Sequence, residues 1–230
     1  MNRPENNIPT RYKLLPPLHS DIEYAATFPE IIPEQIGPVI GEGTFHLVYE
    51  YGPENVIKIP RLAYRVFPII TLERVRREQK TVKKYFSEYV RENTTLESLS
   101  LPGYVIVQRR VRAENITPRN VGEVMEELTR LVSANHRLIE NEGVSFDFLG
   151  FQGVLDSSKA LVDPSYIPSI TNILLEKEIN HPPRITMVDL GLLTVDNRRS
   201  DTTGVDGLQV IFFNINRALI KYHFGLDIKE

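Results

Sequence analysis

The chain has 230 residues, of which 41% are hydrophobic and 25% are charged, and its formal net charge is −3. This slightly acidic balance excludes a general attraction to nucleic acids or anionic membranes, and the absence of cysteine excludes disulfides and thiolate chemistry. No apolar run is long enough to span a membrane and the first residues are polar and proline-spaced, so we expect a cytoplasmic protein.

Residues 1–30 contain several prolines and show little hydrophobic periodicity, which predicts an N-terminal arm. From residue 36 to residue 60 the pattern changes to three short strands, and the first turn between them carries Gly41 and Gly43. Glycines at a turn permit a tight bend and leave backbone N–H groups accessible to an anion. Lys58 lies within the apolar third strand, where it is either an edge residue facing water or a charge directed into a cleft.

A helix is predicted over residues 71–91, because apolar residues recur there at helical spacing. The stripe consists of Val75, Val82, Phe86 and Tyr89. Glu78 lies on the same stripe, and a carboxylate on a packing face is costly unless it is paired. Lys58 on the neighbouring strand is the expected partner; the alternative is that Glu78 lies at the edge of the stripe and reaches solvent.

Residues 101–111 are predicted to form a strand, and residues 121–142 a second long helix that ends at Gly143. The buried face of this helix is predicted to consist of Val124, Leu128, Leu131, Val132, Leu138 and Ile139. Asp147 follows between two phenylalanines, and Asp189 follows an apolar strand. Taken singly, each aspartate is also typical of a residue that caps or starts a turn.

The segment 41–58 resembles the glycine-rich loop and the strand lysine of the protein kinase superfamily. The resemblance rests on GEGTF at 41–45, VY at 48–49 and VIK at 56–58. His46 departs from it, because a third glycine is usual at this position of the loop. The likeness extends over roughly residues 36–220.

The resemblance implies an α+β, two-lobed protein kinase-like fold. A small antiparallel-sheet lobe would comprise residues 31–112, including the helix over 71–91, and a shortened, mainly helical lobe would comprise residues 113–230. The strand before residue 112 would run into the hinge between the lobes near residues 108–112, where an adenine ring meets backbone groups.

The resemblance also implies ATP and Mg²⁺ as ligands, with Lys58 on the phosphates and paired with Glu78. The residues placed against the nucleotide are Ile40, Gly41, Gly43, Val48, Lys58 and Gln108. Asp147 falls on the catalytic aspartate, which would accept a hydroxyl proton from the substrate, although Ser145 and Phe146 replace the usual His-Arg before it.

Asp189, followed by Leu-Gly, falls on the metal-binding aspartate of the family, after two segments that look like its paired strands, 172–175 and 185–188. The second metal ligand has two candidates. Gln152 lies five residues after Asp147, at the usual spacing, whereas Asn172 opens its strand as the family's asparagine does. We prefer Asn172, with the segment between it and Asp147 as an enlarged loop.

The leading hypothesis is a small, divergent kinase-like enzyme that transfers the γ-phosphoryl of ATP to a hydroxyl of a protein or small molecule. The alternative is a pseudokinase that regulates a partner protein as a nucleotide-binding or non-binding scaffold. The departures at residues 46 and 145–146 and the short second lobe favour that alternative. A third interpretation, an interaction domain without nucleotide, treats Lys58, Glu78, Asp147 and Asp189 as coincidence.

Overall fold

The computed structural model describes residues 17–43, 45–66, 72–91, 93–97, 103–111, 113–177, 181–195 and 204–229. The fold is α+β, and its named strands pair antiparallel. The chain divides into two compact units. The first contains Met1–Arg76 and Arg91–Arg110, and the second contains Arg77–Val90 and Val111–Glu230.

The first unit is built on a five-stranded sheet with the strand order β1-β2-β3-β5-β4. Its strands are β1 (Ile36–Glu42), β2 (His46–Tyr51), β3 (Asn55–Pro60), β4 (Asn93–Glu97) and β5 (Tyr104–Arg109). One face of this sheet forms a core that includes Tyr49, Ile57 and Val105, each fully buried. Ile57 and Ile59, which are two residues apart on β3, both point to this core, although β3 is buried on both faces.

The predicted N-terminal arm includes a helix that belongs to the core of the first unit. Helix α1 (His19–Ala25) is followed by Phe28 and Ile31, and both of these side chains pack in the same buried cluster as the sheet. Asp21 of α1 is buried, where it accepts hydrogen bonds from Tyr49 and from Arg65 of helix α2 (Leu62–Val66). A seven-residue helix between prolines shows too few turns for its periodicity to be recognised in the sequence.

The second unit contains helices α4 (Met125–Glu142), α5 (Gly150–Ala160) and α6 (Gly204–Phe224), together with residues 77–90. Its strands are β6 (Ala113–Ile116), β7 (Val144–Phe146), β8 (Ile170–Glu176), β9 (Arg184–Met187) and β10 (Leu192–Thr194). They form a three-stranded sheet, β6-β8-β9, and a separate pair, β7-β10. None of the helices in the described part of the chain is long and apolar enough to cross a bilayer.

The two long predicted helices are present, but the first ends earlier than predicted and the second begins at Met125, after a 3-10 turn over Val121–Val124. All six residues predicted for the buried face of α4 and its preceding turn are buried, and the helix ends at Gly143 with φ 70°. Helix α3 (Leu72–Phe86) buries Val75, Val82 and Phe86 of the predicted stripe and ends five residues before the predicted end, so Tyr89 is buried beyond the helix. The backbone leaves the helix there because the carbonyl of Tyr89 accepts a hydrogen bond from Met187 N–H at 2.9 Å. Residue 71, the predicted start, lies outside the described residues.

The prediction of an enlarged loop between Asp147 and Asn172 is wrong, because α5 occupies much of this segment. Two glycines, Gly150 and Gly153, interrupt its apolar pattern and conceal the helical period. Gly153 is needed for packing, since a Cβ atom there would lie 2.7 Å from the carbonyl oxygen of Ser169. The helix therefore lies close to the backbone that leads into β8.

Candidate functional site

Asp147 follows β7 in the second unit, and neighbouring segments hold its backbone on both sides. Its N–H donates to the carbonyl of Gly191 at 3.0 Å. Its own carbonyl accepts a hydrogen bond from Nδ2 of Asn172 at 2.8 Å. Because β7 pairs with β10, with Phe146 opposite Leu192, the segment that contains Gly191 is held beside Asp147.

The side chain of Asp147 is held through one oxygen. Oδ1 accepts hydrogen bonds from Gly150 N–H at 2.9 Å and from Nδ2 of Asn216 at 2.6 Å. Asn216 lies on α6 and is 2% exposed. The flanking residues Phe146 and Phe148 are buried against each other. The two hydrogen bonds thus fix the orientation of the carboxylate, and Asp147 itself is partly exposed.

The pKa of Asp147 is raised to about 6, chiefly by burial and also by the nearby charge of Asp189, while the hydrogen bonds from Gly150 and Asn216 act in the opposite direction. The two aspartates are therefore close enough to influence each other electrostatically. A carboxylate with a pKa near neutrality is a better general base than an ordinary aspartate, and it is still ionised at pH 7.

We expect the unfolding free energy of the metal-free wild-type protein, minus that of Asp147→Asn, to fall as the pH rises from about 4 to about 6. The raised pKa means that the folded chain holds the proton of Asp147 more tightly than the unfolded chain does. The stabilisation by protonated Asp147 is fully present when the pH is below the pKa of this group in the unfolded chain. It is lost as the pH rises through the pKa in the folded chain, and it amounts to at most about 3 kcal/mol. Urea unfolding of both proteins at pH 4, 5, 6 and 7 measures it, and a pH-independent difference would contradict it.

Asp189 lies between β9 and β10, beside the strand that carries Asn172. Strands β8 and β9 pair with Ile173 opposite Met187. One further bond, from Val188 N–H to the carbonyl of Asn172 at 2.9 Å, continues this pairing to the residue before Asp189. Oδ1 of Asp189 accepts the N–H of Leu190 at 2.8 Å, which orients the carboxylate. The structure therefore brings Asp147, Asn172 and Asp189 to one place in the second unit.

The two candidate metal-site amides have different surroundings. Asn172 is 8% exposed and directs Nδ2 at the backbone of Asp147, so Oδ1 is its remaining ligand atom. Gln152 lies on α5, where its amide donates to Asp156 one turn later at 2.8 Å. The helix between residues 150 and 160 accounts for the long spacing between Asp147 and Asn172. Of the two amides, Asn172 is therefore the one that contacts Asp147, and its role as a metal ligand stays a prediction.

The oxygen atoms of Asp189 and Asn172 fit Mg²⁺. Magnesium is a hard cation that takes oxygen ligands and usually keeps several waters, with one or two protein carboxylates and the phosphates of its substrate. Among the residues that the structure describes, no group of three or more His, Cys, Asp or Glu side chains is placed to hold a metal ion. The described residues thus offer one carboxylate and one amide oxygen at this place, and binding of Mg²⁺ with a nucleotide stays a prediction.

Four of the predicted nucleotide-binding residues share one face of the sheet in the first unit. Lys58 on β3 lies opposite Val48 on β2, and Val48 in turn lies opposite Gly41 on β1. Gln108 on β5 lies opposite Val56, two residues before Lys58. Directly opposite residues, and residues two apart on a strand, point to the same side. This face is the reverse of the one that packs on α1.

Two further predicted residues, Ile40 and Glu78, do not belong to this set of paired residues on the sheet. The pairing of β1 with β2 shifts by one residue between Val39 and Gly41, so Ile40 is the extra residue of a β-bulge. Glu78 follows Val75 by three residues on α3, and Val75 packs with Tyr104 and Ile106 of β5. Glu78 is partly buried and falls in the second unit, and its pairing with Lys58 stays a prediction.

The glycine turn is held by its own hydrogen bonds. The sequence predicts that the N–H of Gly43 is accessible to an anion. In the structure this N–H instead donates to the carbonyl of His46 at 2.8 Å. Nε of Arg61 donates to the Gly43 carbonyl at 3.0 Å, and its Nη2 lies 3.2 Å from Glu42. His46, at the position of the usual third glycine, shares a hydrogen bond of 2.8 Å with the hydroxyl of Tyr104. Residue 44 of this motif lies outside the described residues.

Two buried asparagines of the site were missed in the sequence. Asn216 contacts Asp147 directly through its side-chain amide. Asn135 of α4 is fully buried, accepts Phe146 N–H at 2.8 Å through Oδ1 and donates to Oγ of Ser145 at 3.0 Å. It anchors β7 at the point where the kinase resemblance expects His-Arg. In the sequence, each of these asparagines is distinguished only as an amide among largely apolar residues.

No protein-family model matches the chain, and no curated protein matches it in sequence. The functional interpretation therefore depends on the geometry of the site.

Proposed function

We propose that the chain is an ATP-dependent, kinase-like phosphotransferase that transfers the γ-phosphoryl group to a hydroxyl of a protein or small molecule. The observation that carries this proposal is the tethering of Asp147, Asn172 and Asp189 at one place in the second unit. Phosphoryl transfer depends mainly on positioning and charge neutralisation, and these three side chains supply a base and metal-facing oxygens.

Asp147 is the base of the proposed reaction. Its carboxylate is oriented by Gly150 and Asn216, and its pKa of about 6 lets it accept the proton of the acceptor hydroxyl near neutral pH. Asp189 and Asn172 would hold Mg²⁺, which would neutralise the negative charge that develops during phosphoryl transfer. The hydrogen bond from the side-chain amide of Asn172 to the backbone carbonyl of Asp147 fixes the spacing between the base and these oxygens.

The first unit supports the proposal through the position of Lys58. In protein kinases the phosphate-binding lysine lies on the third strand, and Lys58 lies on β3. Gly41, Val48 and Gln108 share its face of the sheet. The first unit also ends at Arg110, within the segment 108–112 where the resemblance places a hinge.

The second candidate function is a pseudokinase, and the glycine turn favours it. Because the N–H of Gly43 is bonded to His46 and its carbonyl to Arg61, the turn offers a phosphate fewer backbone donors than a glycine-rich loop usually does. Such a protein would regulate a partner protein as a nucleotide-binding or non-binding scaffold, without turning nucleotide over. Nucleotide binding and turnover therefore have to be measured separately.

Binding of ATP with Mg²⁺ is expected to raise the unfolding temperature by roughly 5 to 10 °C at a hundredfold excess over the dissociation constant. Asp189→Ala is expected to lose the Mg²⁺-dependent part of this shift, because it removes the one carboxylate proposed as a metal ligand. Gln152→Ala is the matched control, since the Gln152 amide is bonded within α5. Thermal shift assays with ATP alone and with ATP and Mg²⁺ measure both effects. A wild-type chain that shows no shift would contradict both nucleotide-dependent functions.

A further inference from the structure

We infer that Asn216 is a positioning residue that holds Oδ1 of Asp147, so that Oδ2 is the atom that receives the proton of the acceptor hydroxyl. The inference rests on the proposed function. In the balanced step, the hydroxyl proton moves to Oδ2 and the hydroxyl oxygen bonds to the γ-phosphorus of ATP. The bond from that phosphorus to the bridging oxygen breaks, and ADP leaves with the electron pair.

The assignment of the two oxygens follows from the hydrogen bonds of the carboxylate. Gly150 N–H and Nδ2 of Asn216 both donate to Oδ1 of Asp147, at 2.9 and 2.6 Å. Within the part of the chain that the structure describes, no donor is assigned to Oδ2. An oxygen that already accepts two hydrogen bonds is a poorer proton acceptor than its neighbour, because its lone pairs are engaged.

Asn216 is itself held firmly enough to act in this way. It lies on α6 between Phe213 and Ile220, which are buried in the core of the second unit. Its own Oδ1 is buried and has no hydrogen-bond partner among the described residues. A buried carbonyl oxygen without a hydrogen-bond partner lowers stability. Asn216 therefore does not stabilise the fold through its own Oδ1. The contact that accounts for its presence is the one with Asp147.

The chemistry of the amide also suits the role. A lysine or arginine at this position would form an ion pair with Asp147 and reduce its ability to take a proton. Asn216 is neutral, and it orients the carboxylate through a single hydrogen bond. It therefore fixes the geometry of the base without neutralising its charge.

The test compares Asn216→Ala and Asn216→Leu with Asn214→Ala. Leucine is similar in length to asparagine and bulkier than alanine, so it preserves packing on α6 if alanine does not fold. Asn214 is an exposed residue of the same helix, and its amide donates to the Val210 carbonyl at 3.0 Å. We expect kcat for ATP turnover to fall about tenfold or more in both Asn216 variants, with KM for ATP changed less than about twofold. Asn214→Ala is expected to keep both constants.

A second measurement separates positioning of the base from a merely structural effect. In an Asp147→Ala background, Asn216→Leu is expected to cause no further loss of turnover, because the two residues act through one group. An additive loss would overturn the inference, and so would an unchanged kcat in the single variant. A wild-type chain that binds ATP but never turns it over would instead overturn the proposed enzyme function.

Discussion

Asp147→Asn is expected to lower kcat for ATP turnover by about 10²- to 10⁴-fold, the usual contribution of a general base. The asparagine side chain retains an oxygen that accepts hydrogen bonds from Gly150 and Asn216, so the local structure is preserved. Its amide cannot take a proton from the acceptor hydroxyl. KM for ATP is expected to change little, because Asp147 is placed to contact the acceptor. Release of ADP and autophosphorylation measure the loss.

The matched control is Asp227→Asn, a substitution of the same kind at an exposed carboxylate. Asp227 forms an ion pair with Lys221 at 3.0 Å, on the surface of the second unit. Its replacement is expected to leave turnover unchanged, since surface ion pairs contribute little. Turnover that persists in Asp147→Asn would remove Asp147 as the base. ATP binding without turnover in the wild type would favour the pseudokinase.

Gly150→Ala is expected to destabilise the second unit and to abolish the Mg²⁺-dependent response to ATP. The residue has φ 63°, a conformation that costs a residue with a Cβ about 1–2 kcal/mol. The new Cβ would also lie 2.6 Å from Oδ1 of Asn172 and 3.0 Å from Oγ1 of Thr171. Asn172 has to move, which breaks its bond to the backbone of Asp147. Thermal unfolding and the shift with ATP and Mg²⁺ measure the two effects.

Substitutions of two other glycines distinguish the energetic cost of a positive φ from the cost of a steric clash. Gly225 has φ 70°, but a Cβ atom added there would meet no described atom within 4 Å, so Gly225→Ala bears the backbone cost alone. Gly122 has neither a positive φ nor a close neighbour among the described residues, so Gly122→Ala is expected to be neutral. If Gly150→Ala behaves like Gly225→Ala and keeps the response to Mg²⁺, the close approach to Asn172 has no functional role.

The sequence predicts those parts of the fold that have a local period. The face of the sheet shared by Gly41, Val48, Lys58 and Gln108 follows from strands with a period of two. The buried stripe of α4 and its end at Gly143 follow from helical spacing and a glycine cap. These signals lie within one element, and they do not depend on what the element contacts.

The contacts that build the site could not be predicted in the same way. The choice between Asn172 and Gln152 depends on α5, which lengthens the segment after Asp147 and is concealed by its two glycines. Asn135 and Asn216 act on residues in other elements, and single polar residues in apolar helices do not identify their partners. The hydrogen bonds of the glycine turn likewise depend on Arg61, beyond the motif itself.

The tethers of Asp147 also constrain when the site forms during synthesis. Asn172 and Asn216 lie 25 and 69 residues farther along the chain. At about 5–20 residues per second on the ribosome, α6 is synthesised roughly 3 to 14 seconds after β7. A nascent chain synthesised only as far as β10 contains every proposed ligand and the proposed base. It does not yet contain Asn216, whose amide orients Asp147. The contact between Asn216 and Asp147 can therefore form only after α6 has been translated.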